Sequence, residues 1–160
     1  MGGYTATADA VASGTAQKTV LQLANPAANP ASHRIAVYGI WVGMKGTTSN
    51  AVPPRLLIAR QTTAGVGSAA LAAGHGPVPL DSALPASAMT AVKGPAGTWG
   101  TEPTTTDVLW AREIHPQTSG GEYIPLGDEI RLAPGGYLGV LIIAAATVQV
   151  TAQLYWREGH

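Results

Sequence analysis

Residues 127–158, GDEIRLAPGGYLGVLIIAAATVQVTAQLYWRE, fall into three strand-like runs parted by a Pro-Gly-Gly turn and a short Ala-Thr turn. The last run alternates. Val148, Val150, Ala152, Leu154 and Trp156 share one face, and Gln149, Thr151, Gln153, Tyr155 and Arg157 the other. A period of two with one apolar face predicts a strand covered on one side. Upstream, residues 19–23 predict a short strand, followed by a turn-rich loop at Asn25-Pro26 and Asn29-Pro30. Residues 33–43 (HRIAVYGIWVG) are apolar on both faces, as for a central strand covered twice. After a loop over 44–53, residues 55–61 predict the hairpin partner of that strand. Further runs lie near 88–93 and at 106–115, 122–125, 129–133, 137–144 and 147–158. Eight or nine strands with Gly- and Pro-rich turns, and no capped helical period, predict an all-β fold: a sandwich, jelly roll or barrel. Eight strands in two sheets suit a single jelly-roll-like antiparallel β-sandwich.

Two regions lack this pattern. Residues 1–18 (MGGYTATADAVASGTAQK) are small, polar and low in bulk. They read as an extended N-terminal arm, ordered only where a neighbour holds it, ahead of a β-sandwich domain over 19–160. An ordered Met1 would favour such a neighbour. On that reading Tyr4, with Thr5, Thr7 and Val11, is a candidate protein interface, and removing residues 2–16 leaves the sandwich folded. Residues 62–103 form a long loop rich in Gly, Ala, Ser, Thr and Pro, and a stretch this loose implies a surface excursion or an interaction loop. His75, in Gly74-His75-Gly76, reads as an exposed loop histidine. Trp99, in Gly97-Thr98-Trp99-Gly100, is either a plug over one end of the sandwich or an interface anchor. His75 and Trp99 complete the candidate interface.

Composition narrows the classes of function. Charged residues make up 11% of the 160 residues, against roughly 25% in ordinary soluble domains. Nine Lys and Arg balance nine Asp and Glu, and Arg55, Arg60 and Arg112 are scattered singly. This argues against a nucleic-acid partner. A weakly charged surface tends to associate, which favours assembly with other protein over a merely sticky or extracellular domain. The chain has no cysteine, which excludes disulfides and thiolate chemistry. Residues 137–148 are too short for a membrane helix, and neither a signal peptide nor a myristoylation signal is expected at the N-terminus, where Ala6 stands in place of Ser or Thr. No membrane partner is expected.

The chemistry-bearing residues form no recognisable set. His33, His75, His115 and His160 are not paired at ligand spacing, and His115 with Glu113 supplies too few ligands for a metal. No GxSxG surrounds Ser49, Ser68, Ser82 or Ser87, and Asp107 and His115 lie a strand apart. TTAGVGSAA lacks the GK[ST] of a phosphate cradle. Glu102, Asp107, Glu113, Glu122, Asp128 and Glu129 offer carboxylates for a glycosidase pair, but nothing places two of them about a cleft, and solvated strand ends explain them equally well. No catalytic residue, cofactor or metal is expected. Trp41, Trp110 and Trp156 lie in strong strands and are expected in the core.

The run of TVLQLANPA, HRIAVYGIWV, RLLIARQTTAGVGSA, PLDSALPASA, DVLWAREI and the closing GDEIRLAPGGYLGVLIIAAATVQVTAQLYWRE resembles small β-sandwich structural proteins of tailed bacteriophages, above all head decoration (cement) proteins. The likeness covers most of residues 19–158 and carries no catalytic signature. It implies a jelly-roll-like module, often a homotrimer, bound to the major capsid protein on the outside of the virion after synthesis in the host cytoplasm. A carbohydrate- or receptor-binding module of a phage tail or fibre is the other reading. It requires an exposed aromatic platform, with Trp99 as first candidate.

Overall fold

The computed structural model describes residues 2–45 and 52–159. Met1, Ser49 and His160, on which expectations were placed above, lie outside the described residues. Eleven strands are present and no helix is found among the described residues. They are β1 (Gly2–Ala12), β2 (Lys18–Ala24), β3 (Ile35–Lys45), β4 (Arg55–Gln61), β5 (Val78–Pro79), β6 (Thr90–Lys93), β7 (Thr105–Glu113), β8 (Ser119–Tyr123), β9 (Ile130–Leu132), β10 (Tyr137–Ile143) and β11 (Gln149–Glu158).

Two antiparallel sheets pack face to face as an all-β sandwich. Sheet A runs β5-β1-β11-β3-β8, with β9 beside β8 along β3. Sheet B runs β6-β2-β10-β4-β7. The chain switches sheet at each of its first five connections, and no strand pairs with its neighbour in sequence. The expected hairpin of β3 and β4 is therefore corrected. Both are strands, but β3 pairs with β11 in sheet A and β4 with β10 in sheet B. β3 and β4 lie in opposite layers, because each strand has an apolar side that needs the opposite sheet to cover it.

β11 keeps the alternation read from its sequence. Val150, Ala152, Leu154 and Trp156 are buried, while Thr151, Gln153, Tyr155 and Arg157 are only partly so. Trp156 is fully enclosed, as expected. Leu21, Leu23, Ile58, Leu138 and Ile142 meet that apolar side from sheet B. β3 departs from expectation. Val37, Ile40 and Val42 face the core, but Trp41 is 46% exposed. β3 is central in its sheet yet covered on one side only. Trp110 is likewise half-buried rather than enclosed, its Nε1 donating to Glu122 Oε2 at 2.8 Å.

The largest correction concerns residues 1–18. β1 is a full member of sheet A. It pairs with β11 from Gly2↔Glu158 to Ala12↔Gln149, and Tyr4, Ala6, Ala8 and Val11 are buried. Low bulk does not keep this segment out of the core, because the partner strand supplies both the hydrogen bonds and the volume. Ala8 and Ala6 sit opposite Ala152 and Leu154, and the Tyr4 ring stacks on Trp156 with centroids 6.2 Å apart. A bulge between Ala8 and Val11 resets the alternation, with Ala10 at φ 51°.

Tyr4→Ala is expected to lower the unfolding free energy by about 3–5 kcal/mol, the range for removing a buried aromatic. Urea denaturation checks this. A change below about 0.5 kcal/mol, typical of a surface position, would return the segment to the status of a loose arm.

Candidate functional site

The side of sheet A turned away from the core carries most of the chain's exposed aromatic surface. β11 contributes Thr151, Gln153 and Tyr155 to it. The register places Trp41 and Gly39 of β3 beside Gln153 and Tyr155, and Gly121 and Tyr123 of β8 beside those. Tyr38, Tyr123 and Tyr155 form a mutual cluster, their centroids 6.3–6.5 Å apart. The Arg157 guanidinium caps Tyr38 at 4.7 Å from the ring centroid. Burial pushes the Tyr38 phenol above its ordinary value, against the pull of Arg157 and with a further push from Tyr123 and Tyr155. The Trp41 indole lies over Gly121, where a Cβ would overlap its ring. Glycine at that position lets the indole lie on the backbone of β8. On the β1 side, Gln153 donates to Thr5 Oγ1 at 3.0 Å, and Thr151 to Asp9 Oδ1 at 2.7 Å.

The six candidate interface residues do not form one exposed surface. Tyr4 and Val11 are core residues. Thr5 is buried, its hydroxyl donating to the Leu154 carbonyl at 3.0 Å. Thr7 and His75 are half-buried neighbours, the Thr7 amide donating to the His75 carbonyl at 2.9 Å. Trp99 is 7% exposed, and its Nε1 donates to the Thr19 carbonyl at 3.0 Å. It is a plug on sheet B, set against Gly65 and Gly94, and cannot serve as an exposed anchor. Isolated bulky residues in loose segments do not mark this aromatic surface. Its signal was in the patterned strands: Tyr155 on the polar side of β11, and Tyr38 and Trp41 three apart in β3.

The buried polar groups brace the fold. Lys18 is 6% exposed, and its ammonium donates to the carbonyls of Ala12 (2.7 Å), Pro95 (2.7 Å) and Gly97 (2.6 Å). Burial holds its pKa below the ordinary lysine value, opposed by nearby Glu102. Glu102 accepts from the Thr19 amide at 3.1 Å. Burial raises its carboxyl above the usual range, against those hydrogen bonds and Lys18. Gln22 donates to Gln61 Oε1 (2.7 Å) and Gln61 to Thr19 Oγ1 (2.9 Å) over Gly139, where any side chain would meet the Gln61 amide.

At the other end Glu158 accepts from the Ser87 hydroxyl, from Trp156 Nε1 (3.1 Å) and from the Ala88 amide (3.1 Å), with His33 Nε2 at 3.7 Å. Here Ser, His and a carboxylate meet, but the hydroxyl is bonded to the carboxylate, whereas activation of a serine needs it on the imidazole. The arrangement fastens residues 87–88 to the end of β11. His115 sits beyond the end of β7, its Nδ1 accepting from the Gln117 amide at 3.2 Å. Among the described residues no three His, Asp or Glu side chains converge on one point. A cleft of about 350 Å³ beside the aromatic surface is lined by Arg34, Arg131, Arg157 and Glu129. The Gly127 amide, at 2.8 Å, holds the Glu129 carboxyl below its ordinary range, helped by Arg131 and Arg157.

No family model matches the sequence, and no curated protein matches it significantly.

Lys18→Met strands three carbonyls and is expected to cost about 1–3 kcal/mol, read as a lowered urea midpoint; an unchanged midpoint would show the lysine to be dispensable. For Glu102 the folded pKa lies above the unfolded one. Its contribution to stability is therefore fully present below the unfolded value and lost as pH rises through the folded one. Glu102→Gln should accordingly gain stability relative to the parent chain on going from pH 4 to pH 7. A relative loss over that interval in paired melting curves would contradict this assignment.

Proposed function

We propose that this chain is a non-enzymatic structural virion protein: a capsid decoration (cement) protein that binds the major capsid protein on the outer head surface as a homotrimer. It would stabilise the head through contacts between subunits. The observation that carries this reading is the placement of large apolar side chains on the outside of a net-neutral, lightly charged sandwich. Trp41 and Tyr123 stand on sheet A, Val108 and Leu109 on β7, and Leu126 in the turn after β8, all exposed. Exposed large apolar side chains of this kind suit a surface that meets another molecule. β7 is also an edge strand, paired only with β4. Its free row of backbone groups can extend a neighbour's sheet, and Asp107, Arg112 and Glu113 guard it against indiscriminate pairing.

The strand order, with the chain passing between layers, supports a jelly-roll description. The internal bracing by Lys18 and Glu158 supports a rigid body suited to a clamp. The contact surfaces are now the strand faces and edges, since residues 2–12 are committed to sheet A.

The aromatic cluster on sheet A favours a second reading, a carbohydrate- or receptor-binding module of a tail or fibre. Trp41 takes the part first given to Trp99.

Purified chain added to purified phage heads is expected to co-sediment saturably and to raise the temperature at which the heads rupture. Cryo-electron microscopy of the particles should place its density on the outer head surface. Density confined to the tail, or none on the head, would overturn the decoration reading.

A further inference from the structure

The structure assigns the outer face of sheet A as the contact between copies of this chain. The inference shares with the decoration reading the premise of an assembly protein, but it does not depend on the capsid.

Three observations carry it. First, the two outer sides of the sandwich are treated differently. On sheet B, Leu57, Ala59 and Leu141, which alternate with inward-facing Leu56, Ile58 and Ile142, are buried in a small cluster of their own, and Trp99 is folded over Thr19. On sheet A, Leu80 reaches over Gly3 and Thr5 is buried on the β1 side, but toward β8 Trp41 and Tyr123 remain 46% and 64% exposed.

Second, charge is confined to the rim. From β1 to β8 the outward positions of the middle of the sheet are Thr, Gln, Gly, Tyr and Trp. Arg157 stands at one end, and Asp9 and Lys45 at the other. An aromatic centre depleted of charge inside a charged rim is the anatomy of a protein interface. The acidic Asp9 and basic Lys45 and Arg157 give a second copy opposite charges to meet at the edges.

Third, the face is broad. Four strands at ~4.8 Å spacing, each about seven residues of ~3.3 Å, project to about 450 Å², a little over half of the ~800 Å² per partner of a standard interface. Outward glycines on β3 and β8 keep the face low, so that strands of a neighbour can approach.

A glycan is the competing occupant. A small ligand enclosed by the protein sits in a concave site with converging polar groups. Here the clefts lie at the two ends, about 350 Å³ beside Arg157 and about 510 Å³ beside Asp9 and Lys45. The aromatic stretch between them is strand surface.

The test is the solution mass of the full chain by size exclusion with light scattering. The wild type is expected at a multiple of 16.3 kDa. Tyr123→Glu and Gly43→Lys are expected to bring it to 16.3 kDa with circular dichroism unchanged. Gly43 keeps the test sound even where the β8 variant perturbs its strand. A Cβ there meets nothing nearer than Ser119 Cβ at 3.9 Å, so the folded monomer accepts the side chain and only a partner opposes it. A monomeric wild type, or an oligomer indifferent to both variants, overturns the inference. Glycan-array binding by a monomeric wild type that is lost in Trp41→Ala would give the face to carbohydrate instead. An oligomer that fails to bind heads would overturn the decoration reading and leave this inference standing.

Discussion

The pairing of β1 with β11 is the constraint on which the rest of the molecule depends. It joins the two ends of the chain, Gly2 to Glu158, and places β11 between β1 and β3. Only in that position is the apolar side of β11 closed. Tyr4 covers one side of Trp156, and the bulk of sheet B covers Val150, Ala152 and Leu154. Without β1, the edge of β11 would be open and the most enclosed aromatic of the chain would lose its stacking partner. The same pairing fixes the outer face, because the register that buries Trp156 must turn Tyr155 and Arg157 outward.

A sandwich whose pairings are all distant in sequence gains little from local structure, so its loops must be tied down individually. The buried polar side chains serve this purpose. Lys18 joins the end of β1 to residues 95–97, and Glu158 joins the end of β11 to residues 87–88. Asn25 donates to the carbonyls of His33 and Leu132, holding the turn after β2 against β9. Each of these groups would be costly if left unpaired in the interior. The chemistry they could offer is spent on fixing loops, which is why a serine, a histidine and a carboxylate meet at Glu158 without forming a reactive set.

The consequence for function is an asymmetry between the two layers. Sheet B is covered from outside in part by the excursion over residues 62–103, which is closed on itself by the bridge Val66↔Thr101 and tied to the sheet by the bridge Ala69↔Lys93 and by Trp99 on the Thr19 carbonyl. Sheet A presents Trp41 and three tyrosines to the surroundings. The segments that look least structured in sequence turn out to complete the fold. The exposed aromatic surface lies on the most regular strands.

Side-chain periodicity was enough to specify most of the long strands. The alternation over 148–157, the apolar runs at 33–43, 55–61 and 137–144, and the absence of any helical period follow from side-chain periodicity, a local property. They were enough for an all-β sandwich and for the burial of Trp156. Which strands pair was decided only by the tertiary structure. No turn joins paired neighbours, so loop length carries no register, and β3 and β4, close in sequence, belong to opposite layers. Residues 2–12 were illegible for the same reason: an Ala- and Thr-rich segment has no hydrophobic pattern of its own, and its order comes from β11, at the other end of the chain. The fates of the tryptophans followed likewise. A tryptophan's burial depends on whether another layer covers it, so Trp99 in a glycine-rich loop became a plug while Trp41 in a strong strand was left outside.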